Sequence, residues 1–338
     1  MGPTDPKAVT YCLSQTVILT RRCAYACGYC DFPVRSSRPL PSLKAVRKRV
    51  RRAAQAGAVQ VLLTAGEGIA DIPETVGILR YYGLDDYTQY LNAVFQETME
   101  NNGWPGLFPL PHVGNLSFAQ LQQIKGHVPC VRIFLESADS SLLYHVAHGN
   151  SPCKAPQERL ETILHAGQVG IPVTSGILVG IGESRPSRER ALLLIAEAHR
   201  QYGHVQNIAI ERFVPRPNTP MADWPPAPPE EVLWSIRAAR RIFGPHFPIT
   251  FSVLENVELL DGALEAGADD FGDVEVSGSP QADNDTLQRL HLVRSHCESR
   301  GVQLQERLPI FPSHQTERWL SPQMLELVRA HREHLLVV

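Results

Sequence analysis

The chain is predicted to be an α/β protein built on a parallel β/α barrel of the TIM type, followed by a C-terminal helical extension. Three observations predict this. Short apolar runs alternate with amphipathic stretches six or more times along the chain. The runs are apolar almost throughout, as strands buried on both faces are. The glycine-rich and carboxylate-bearing segments fall directly after the runs, where barrels of this kind collect their active sites. An open doubly wound sheet is the competing arrangement. The 338 residues would suffice for two average domains, but α/β barrels commonly pass ~250 residues as one unit. The expected organisation is a barrel over residues 1–282 and an extension over 283–338, packed on the barrel as part of one structural unit.

The elements follow in order. Residues 16–20, Thr-Val-Ile-Leu-Thr, make a β-branched strand that runs into a cluster of cysteines. Ser42 then caps a helix that closes at Gly57. The pattern repeats with a strand over residues 59–63 and a helix near 86–99. A weak strand near Leu107 and a helix from Ser117 come next, then strands over 131–135, 172–179, 205–213 and 249–253 with helical stretches between them. Residues 214–229 form a loop whose repeated prolines forbid both helix and ladder. Beyond Asp283 two further helical patterns are expected.

Composition excludes several classes of function. With 32 basic against 35 acidic side chains and a formal charge of −3, the chain lacks the basic footprint of a nucleic-acid or membrane-surface binder. The short basic run over 47–52 lies in a helical pattern and reads as a solvated face. No apolar stretch approaches the ~20 residues of a membrane span, and the first residues lack the pattern of a signal peptide. A cytoplasmic location is therefore expected. In that reducing compartment seven cysteines are not a disulfide framework, and their spacing becomes informative.

Cys23, Cys27 and Cys30 form a CxxxCxxC set on the loop after the first strand. Three thiolates so placed can ligate three irons of a cubane cluster and leave the fourth open to a substrate. Zinc is the competing reading, and it requires a fourth ligand such as Cys12 or a histidine. Cys12, Cys130, Cys153 and Cys297 stand alone and read as small core hydrophobes. His112 and His145 are weaker acid–base candidates.

With Tyr29 just before the last cysteine, the segment resembles the signature of the radical S-adenosylmethionine superfamily, which implies a radical SAM core within the barrel. The resemblance implies a [4Fe–4S] cluster on the three cysteines and S-adenosyl-L-methionine as co-substrate. Thr64-Ala65-Gly66-Glu67 resembles the superfamily's Gly-Gly-Glu-like turn, which implies that Glu67 receives the methionyl ammonium. Glu136 is similarly implied as an acceptor for the ribose hydroxyls. Arg159 resembles the arginine that pairs with the methionyl carboxylate. The segment holding Gly176, Leu178, Gly180 and Glu183 resembles the GxIxGxxE element that lies along adenine. Tyr29, Thr64 and Gly66 belong to the same implied nucleotide site.

Longer segments, among them Leu107-Phe108-Pro109-Leu110-Pro111-His112, His148-Gly149-Asn150-Ser151-Pro152, Tyr202-Gly203-His204 and Pro215-Arg216-Pro217-Asn218-Thr219-Pro220, resemble the CofG-type subunit of deazaflavin synthases. That resemblance implies cyclisation of a hydroxybenzyl-ribityl-dihydrouracil adduct with loss of ammonia, an ammonia-lyase type of reaction. It also implies an external one-electron donor and a companion radical enzyme that supplies the adduct. Pro152 and Thr219 are then expected near the substrate. The chain departs from the family at Ala24-Tyr25-Ala26, at Glu211-Arg212 in place of Gln-Asn, and at Asp270-Phe271-Gly272-Asp273-Val274-Glu275-Val276 in place of Asp-Trp-Gly-Gly-Val-Ser-Pro. An altered substrate, or more remotely a metal or electron-carrier module without enzymatic activity, are the alternatives.

Overall fold

The structure is a computed structural model that describes residues 7–34, 40–100, 106–276 and 279–335. Eight parallel strands wind into a nearly closed barrel: β1 (Lys7–Thr20), β2 (Gln60–Ala65), β3 (Phe108–His112), β4 (Val131–Arg132), β5 (Val173–Val179), β6 (Val205–Arg212), β7 (Ile249–Thr250) and β8 (Asp270–Glu275). Their order around the sheet is β3-β2-β1-β8-β7-β6-β5-β4. The two ends of that series, β3 and β4, lie against one another without joining the ladder. This is a barrel with one seam, and the open doubly wound sheet does not occur. A ninth strand, β9 (Val302–Glu306), pairs in parallel with the first residues of β1.

The helices start where local chemistry starts them. Helix α1 (Leu43–Gln55) begins behind Ser42, whose side chain accepts from the Ala45 amide. Helix α2 (Pro73–Tyr81), absent from the sequence expectation, has no side-chain cap. Asp86 caps α3 (Tyr87–Met99), and Ser117 with Gln120 forms a reciprocal capping box at α4 (Phe118–Ile124). Helices α5 (Pro156–Val169), α6 (Arg185–Tyr202), α7 (Pro229–Phe243) and α8 (Leu260–Ala266) complete the outer ring, followed by α9 (Pro280–Ser299) and α10 (Pro322–Leu335).

The main core lies between the sheet and this ring. Val46, Val50 and Ala53 of α1 are fully buried there, as are Leu91, Val94 and Phe95 of α3. A second apolar cluster closes the opposite end of the barrel from the cysteine loop. Leu308, Ile310, Trp319, Leu320, Met324 and Val328 pack on Phe108, Leu110 and Cys130. At ~1.5–3 kcal/mol for each large side chain buried, this cluster is enough to fasten the C-terminal segment down. The segment holds the two expected helices, but β9 is a strand that the helical reading did not anticipate. Among the described residues no helix is long and apolar enough to cross a membrane.

Candidate cofactor and substrate site

The loop after β1 is pinned on three sides by backbone bonds. The Ala24 amide donates to Glu67 O at 2.9 Å, Gly28 N to Ala147 O at 2.8 Å, and Met221 N to Gly28 O at 2.9 Å. Two glycines permit the close approach: a Cβ on Gly66 would lie 2.0 Å from Arg22 O, and one on Gly28 would lie 2.1 Å from Val146 O. The loop therefore presents Cys23, Cys27 and Cys30 to one cavity of about 220 Å³, shared with Thr64, Glu67, His112 and Arg159. Burial pushes the Cys27 thiol up, and it pushes Cys30 up to about 11. No three His, Cys, Asp or Glu side chains among the described residues are grouped to hold a single metal ion.

One carboxylate, Glu67, lines this cavity, and a second, Glu136, stands behind its lining residues Lys154 and Arg159. Glu67 is paired with Arg159, whose Nη2 lies 2.7 Å from Oε1, and its Oε2 has no hydrogen-bond partner although it is buried. Glu136 adopts a left-handed backbone, φ 62°, just after β4. Its Oε1 lies 2.5 Å from Lys154 Nζ, its Oε2 accepts from the Tyr29 hydroxyl, and His148 Nε2 stands 3.5 Å away. Arg159 is also 3.8 Å from Glu136. Burial raises the Glu136 pKa, but Lys154, the His148 bond and Arg159 together outweigh it and hold the carboxyl well below its usual range. The Tyr29 phenol is pushed up by burial and then by Glu136, so it remains a donor. His112 is held down to about 3, first by burial and then by Arg132, Lys154 and Arg159, and is neutral near pH 7.

The structure thus brings Tyr29, Thr64, Gly66, Glu67, Glu136 and Arg159 together with the cysteines. It treats the 176–183 segment differently. Leu178 lines a cavity at the barrel mouth with Tyr29 and Cys30. A Cβ on Gly176 would meet Ala209 O of β6 at 2.1 Å, so this glycine serves the contact between two strands. Gly180 has φ +101° and faces Ala227. Glu183 holds the loop together: it accepts from the amides of Gly180 and Ile181, each at 2.8 Å, and from Arg188 Nε at 2.6 Å. With these donors inside the protein, its carboxylate fastens the loop.

Other expectations separate as well. His145 and Pro152 are exposed. Thr219 turns its hydroxyl onto Arg216 O at 2.8 Å, which closes a local turn. Cys153, expected as a core hydrophobe, lines the cysteine cavity beside Glu67. Sequence reasoning missed Lys154 and His148, which surround Glu136. His148 stood within the His148-Gly149-Asn150-Ser151-Pro152 segment that carried the family resemblance, whereas Lys154, two residues beyond it, carried no signal.

Below the cysteines the lumen holds a second cavity of about 210 Å³. The inward residues of two strands, β2 and β3, lead from one to the other. On β2, Gln60 and Leu62 line the lumen and Thr64 lines the cysteine cavity; on β3, Leu110 and His112 do the same. The substituted positions Glu211, Asp273 and Glu275 all line the lumen.

A family model described as the Radical SAM superfamily matches residues 17–195, and the chain belongs to that superfamily. Its fold is shared with crystal structures of the [FeFe]-hydrogenase maturase HydG and of methylornithine synthase, PylB. The first has a TM-score of 0.70 at 14% identity, over 97% of this chain and 70% of that one. The second has a TM-score of 0.63 at 19% identity, over 88% of this chain and 84% of that one. Among relatives, the 7,8-didemethyl-8-hydroxy-5-deazariboflavin synthase of Methanothermobacter thermautotrophicus is 33% identical over 330 residues, 95% of this chain and 97% of that protein. The synthase of Methanococcoides burtonii is 31% identical over 333 residues, 96% of both chains. Within the superfamily, the chain belongs to the family of these deazaflavin synthases.

Proposed function

We propose that this radical S-adenosylmethionine enzyme cyclises 5-amino-5-(4-hydroxybenzyl)-6-(D-ribitylimino)-5,6-dihydrouracil to 7,8-didemethyl-8-hydroxy-5-deazariboflavin, with loss of ammonia. The observation that carries the reading is the sharing of one cavity by three cysteines and the Glu67–Arg159 pair, directly above a polar lumen. A [4Fe–4S] cluster would be held by Cys23, Cys27 and Cys30, and when bound with S-adenosylmethionine it supplies a primary carbon radical able to abstract a hydrogen atom.

The residues fit that pair of groups. Glu67 and Arg159 carry the two charges complementary to the ammonium and carboxylate of an amino acid, and the unsatisfied Oε2 of Glu67 is an acceptor in waiting. A zwitterion entering between them exchanges one buried ion pair for two. Glu136, kept ionised by Lys154, has Lys154 on one oxygen and Tyr29 on the other, so it would accept from vicinal hydroxyls only by exchanging one of these partners. Leu178 offers an apolar surface at the mouth. His112, held neutral near pH 7, adds no positive charge to the cavity that would receive the co-substrate. The deep lumen excludes water from the reacting carbon and orients the adduct beneath it.

An external one-electron donor, a companion radical enzyme that supplies the adduct and a cytoplasmic setting complete the proposal. The test is anaerobic reconstitution followed by incubation with S-adenosylmethionine, reductant and adduct. About four irons and four sulfides per chain are expected from the cluster type, with a fluorescent deazaflavin appearing as adduct disappears. Stoichiometric zinc without sulfide, or 5′-deoxyadenosine released with the adduct untouched, would overturn it. A second reading, an altered substrate, is favoured by the acidic Glu211 and Glu275 in the lumen, and the latter outcome would select it.

A further inference from the structure

The lumen ends on a polar floor whose groups are not all satisfied. Ser14 on β1 and Gln60 on β2 are register partners at the start of their ladder, the end remote from the cysteine loop. Both side chains are sealed from bulk water, with 1% and 0% exposure. Yet Ser14 Oγ, Gln60 Oε1 and Arg132 Nε have no hydrogen-bond partner, and all three residues line the lumen cavity. Native interiors leave few polar groups unpaired. Three in one cavity mark a place where a ligand completes the network.

Asp273 on β8 fixes what they offer. Its Oδ1 accepts from Gln60 Nε2 at 2.7 Å, and its Oδ2 accepts from Arg132 Nη2. With the amide nitrogen tied to a carboxylate, the Gln60 oxygen is locked toward the cavity as an acceptor, since the flipped amide would set oxygen against oxygen. Arg132 is locked with its Nε as a donor. Ser14 supplies a hydroxyl able to do either. By contrast Thr174, Asn207, Thr250, Asp270 and Arg307 bond to one another in a closed chain on the far side.

An acceptor, a donor and a hydroxyl side by side match vicinal hydroxyls, each of which gives one hydrogen bond and takes one. The surrounding charge disfavours an anion, because Asp273 neutralises Arg132, Asp270 neutralises Arg307, and Glu211 and Glu275 also line the cavity. Burial raises the Glu211 and Glu275 pKa values. Depth selects the part of the substrate: the group to be attacked must face the cysteine end, and the unreactive arm must lie at the floor.

We propose that Ser14, Gln60 and Arg132, oriented by Asp273, form the subsite for a neutral polyol arm of the substrate. On the reading above, on which this identification rests, that arm is the ribityl chain. Asp273 acts as a positioning residue and sets specificity through its two partners.

Two measurements on the reconstituted holoenzyme test this. The first compares the adduct with an analogue bearing methyl in place of ribityl, for the wild type, Asp273→Asn and Ser14→Ala. Each substitution should lower kcat/KM for the adduct by about tenfold or more, mainly through KM, because a buried polar partner is lost. The methyl analogue should respond little to either. Ser14→Ala removes a hydroxyl that bonds to nothing in the protein, so it keeps the test valid where Asp273→Asn fails to fold. The second measurement is binding of free ribitol by NMR, which Ser14→Ala should weaken. Equal losses on both substrates, or ribitol binding indifferent to Ser14, overturn the subsite. Ribitol binding that depends on Ser14, without turnover of the adduct, leaves the subsite standing and refutes the substrate reading.

Discussion

Glu67 and Glu183 look alike in the sequence, each a glutamate beside glycine in the turn after a barrel strand, and the fold uses them in opposite ways. Glu183 is enclosed by two amides and the Arg188 guanidinium, with its side chain wholly buried. Glu67 is held from one side by Arg159 and has a buried oxygen without a hydrogen bond. A motif identifies a carboxylate; only its donors reveal whether it is committed to the protein or available to a ligand. Unsatisfied buried acceptors are costly, by ~1–3 kcal/mol each, and a protein retains one where binding compensates.

Three measurements can break or sharpen that contrast. The largest effect is expected from Glu183→Ala, which leaves two buried amides and Arg188 without this acceptor. Arg188 keeps Glu231 at 2.5 Å, so the loss should sit near the lower end for a broken buried pair, about 3 kcal/mol in denaturant unfolding. A loss under about 1 kcal/mol would remove the distinction. Next comes Glu67→Gln. Affinity for S-adenosylmethionine should fall about tenfold, as for one charge-assisted bond, with iron content retained and a smaller change in stability than at Glu183. Unchanged affinity together with lost iron would reassign the residue to the cluster.

The smallest effect is a pH slope at a third carboxylate. Asp270 accepts from Thr10, Thr250, the Gly272 amide and Arg307, the committed pattern again. Burial raises its pKa, but Arg307 and the hydroxyl bonds outweigh burial and leave it lowered. A carboxylate lowered on folding binds its proton more weakly in the native state than in the unfolded one. Its stabilisation is therefore fully present above the ordinary aspartate value of ~3.9 and is lost as pH falls through the lower native value. Unfolding free energies measured from pH 5 downward should fall less steeply in Asp270→Asn than in the wild type. Equal slopes would show that Asp270 does not titrate differently on folding.

Much of this was legible in the sequence, for definite reasons. Apolar strands β2, β5 and β6 and the caps Ser42, Asp86 and Ser117 announce themselves by local chemistry, and the cysteine spacing is short enough to survive any fold. Strand β8 was hidden because Asp270, Asp273 and Glu275 are polar residues facing into the barrel, and a strand with a polar interior reads as a loop. Strand β4 is shorter than its apolar run, since the regular ladder with β5 stops at Arg132 and resumes only as a single bridge from Glu136 to Ile177. Lys154 was invisible because nothing local separates a lysine buried against Glu136 from one in solvent. The commitment of Glu183 depends on Arg188 in the following helix, a contact that the glycine-rich motif does not contain.

The seam between β3 and β4 has a mechanical consequence. The amide of Phe108 donates to Val59 O on the β2 side, so by strand alternation the nitrogens of Pro109 and Pro111 face the seam. Proline has no hydrogen to donate there. The edge cannot be zipped by its neighbour across the gap, nor extended by a foreign strand that needs those donors. A fully laddered barrel has its girth dictated by strand number and stagger. Along this seam the girth is set by side-chain packing alone, and the seam runs beside Leu110 and His112, which line the two cavities.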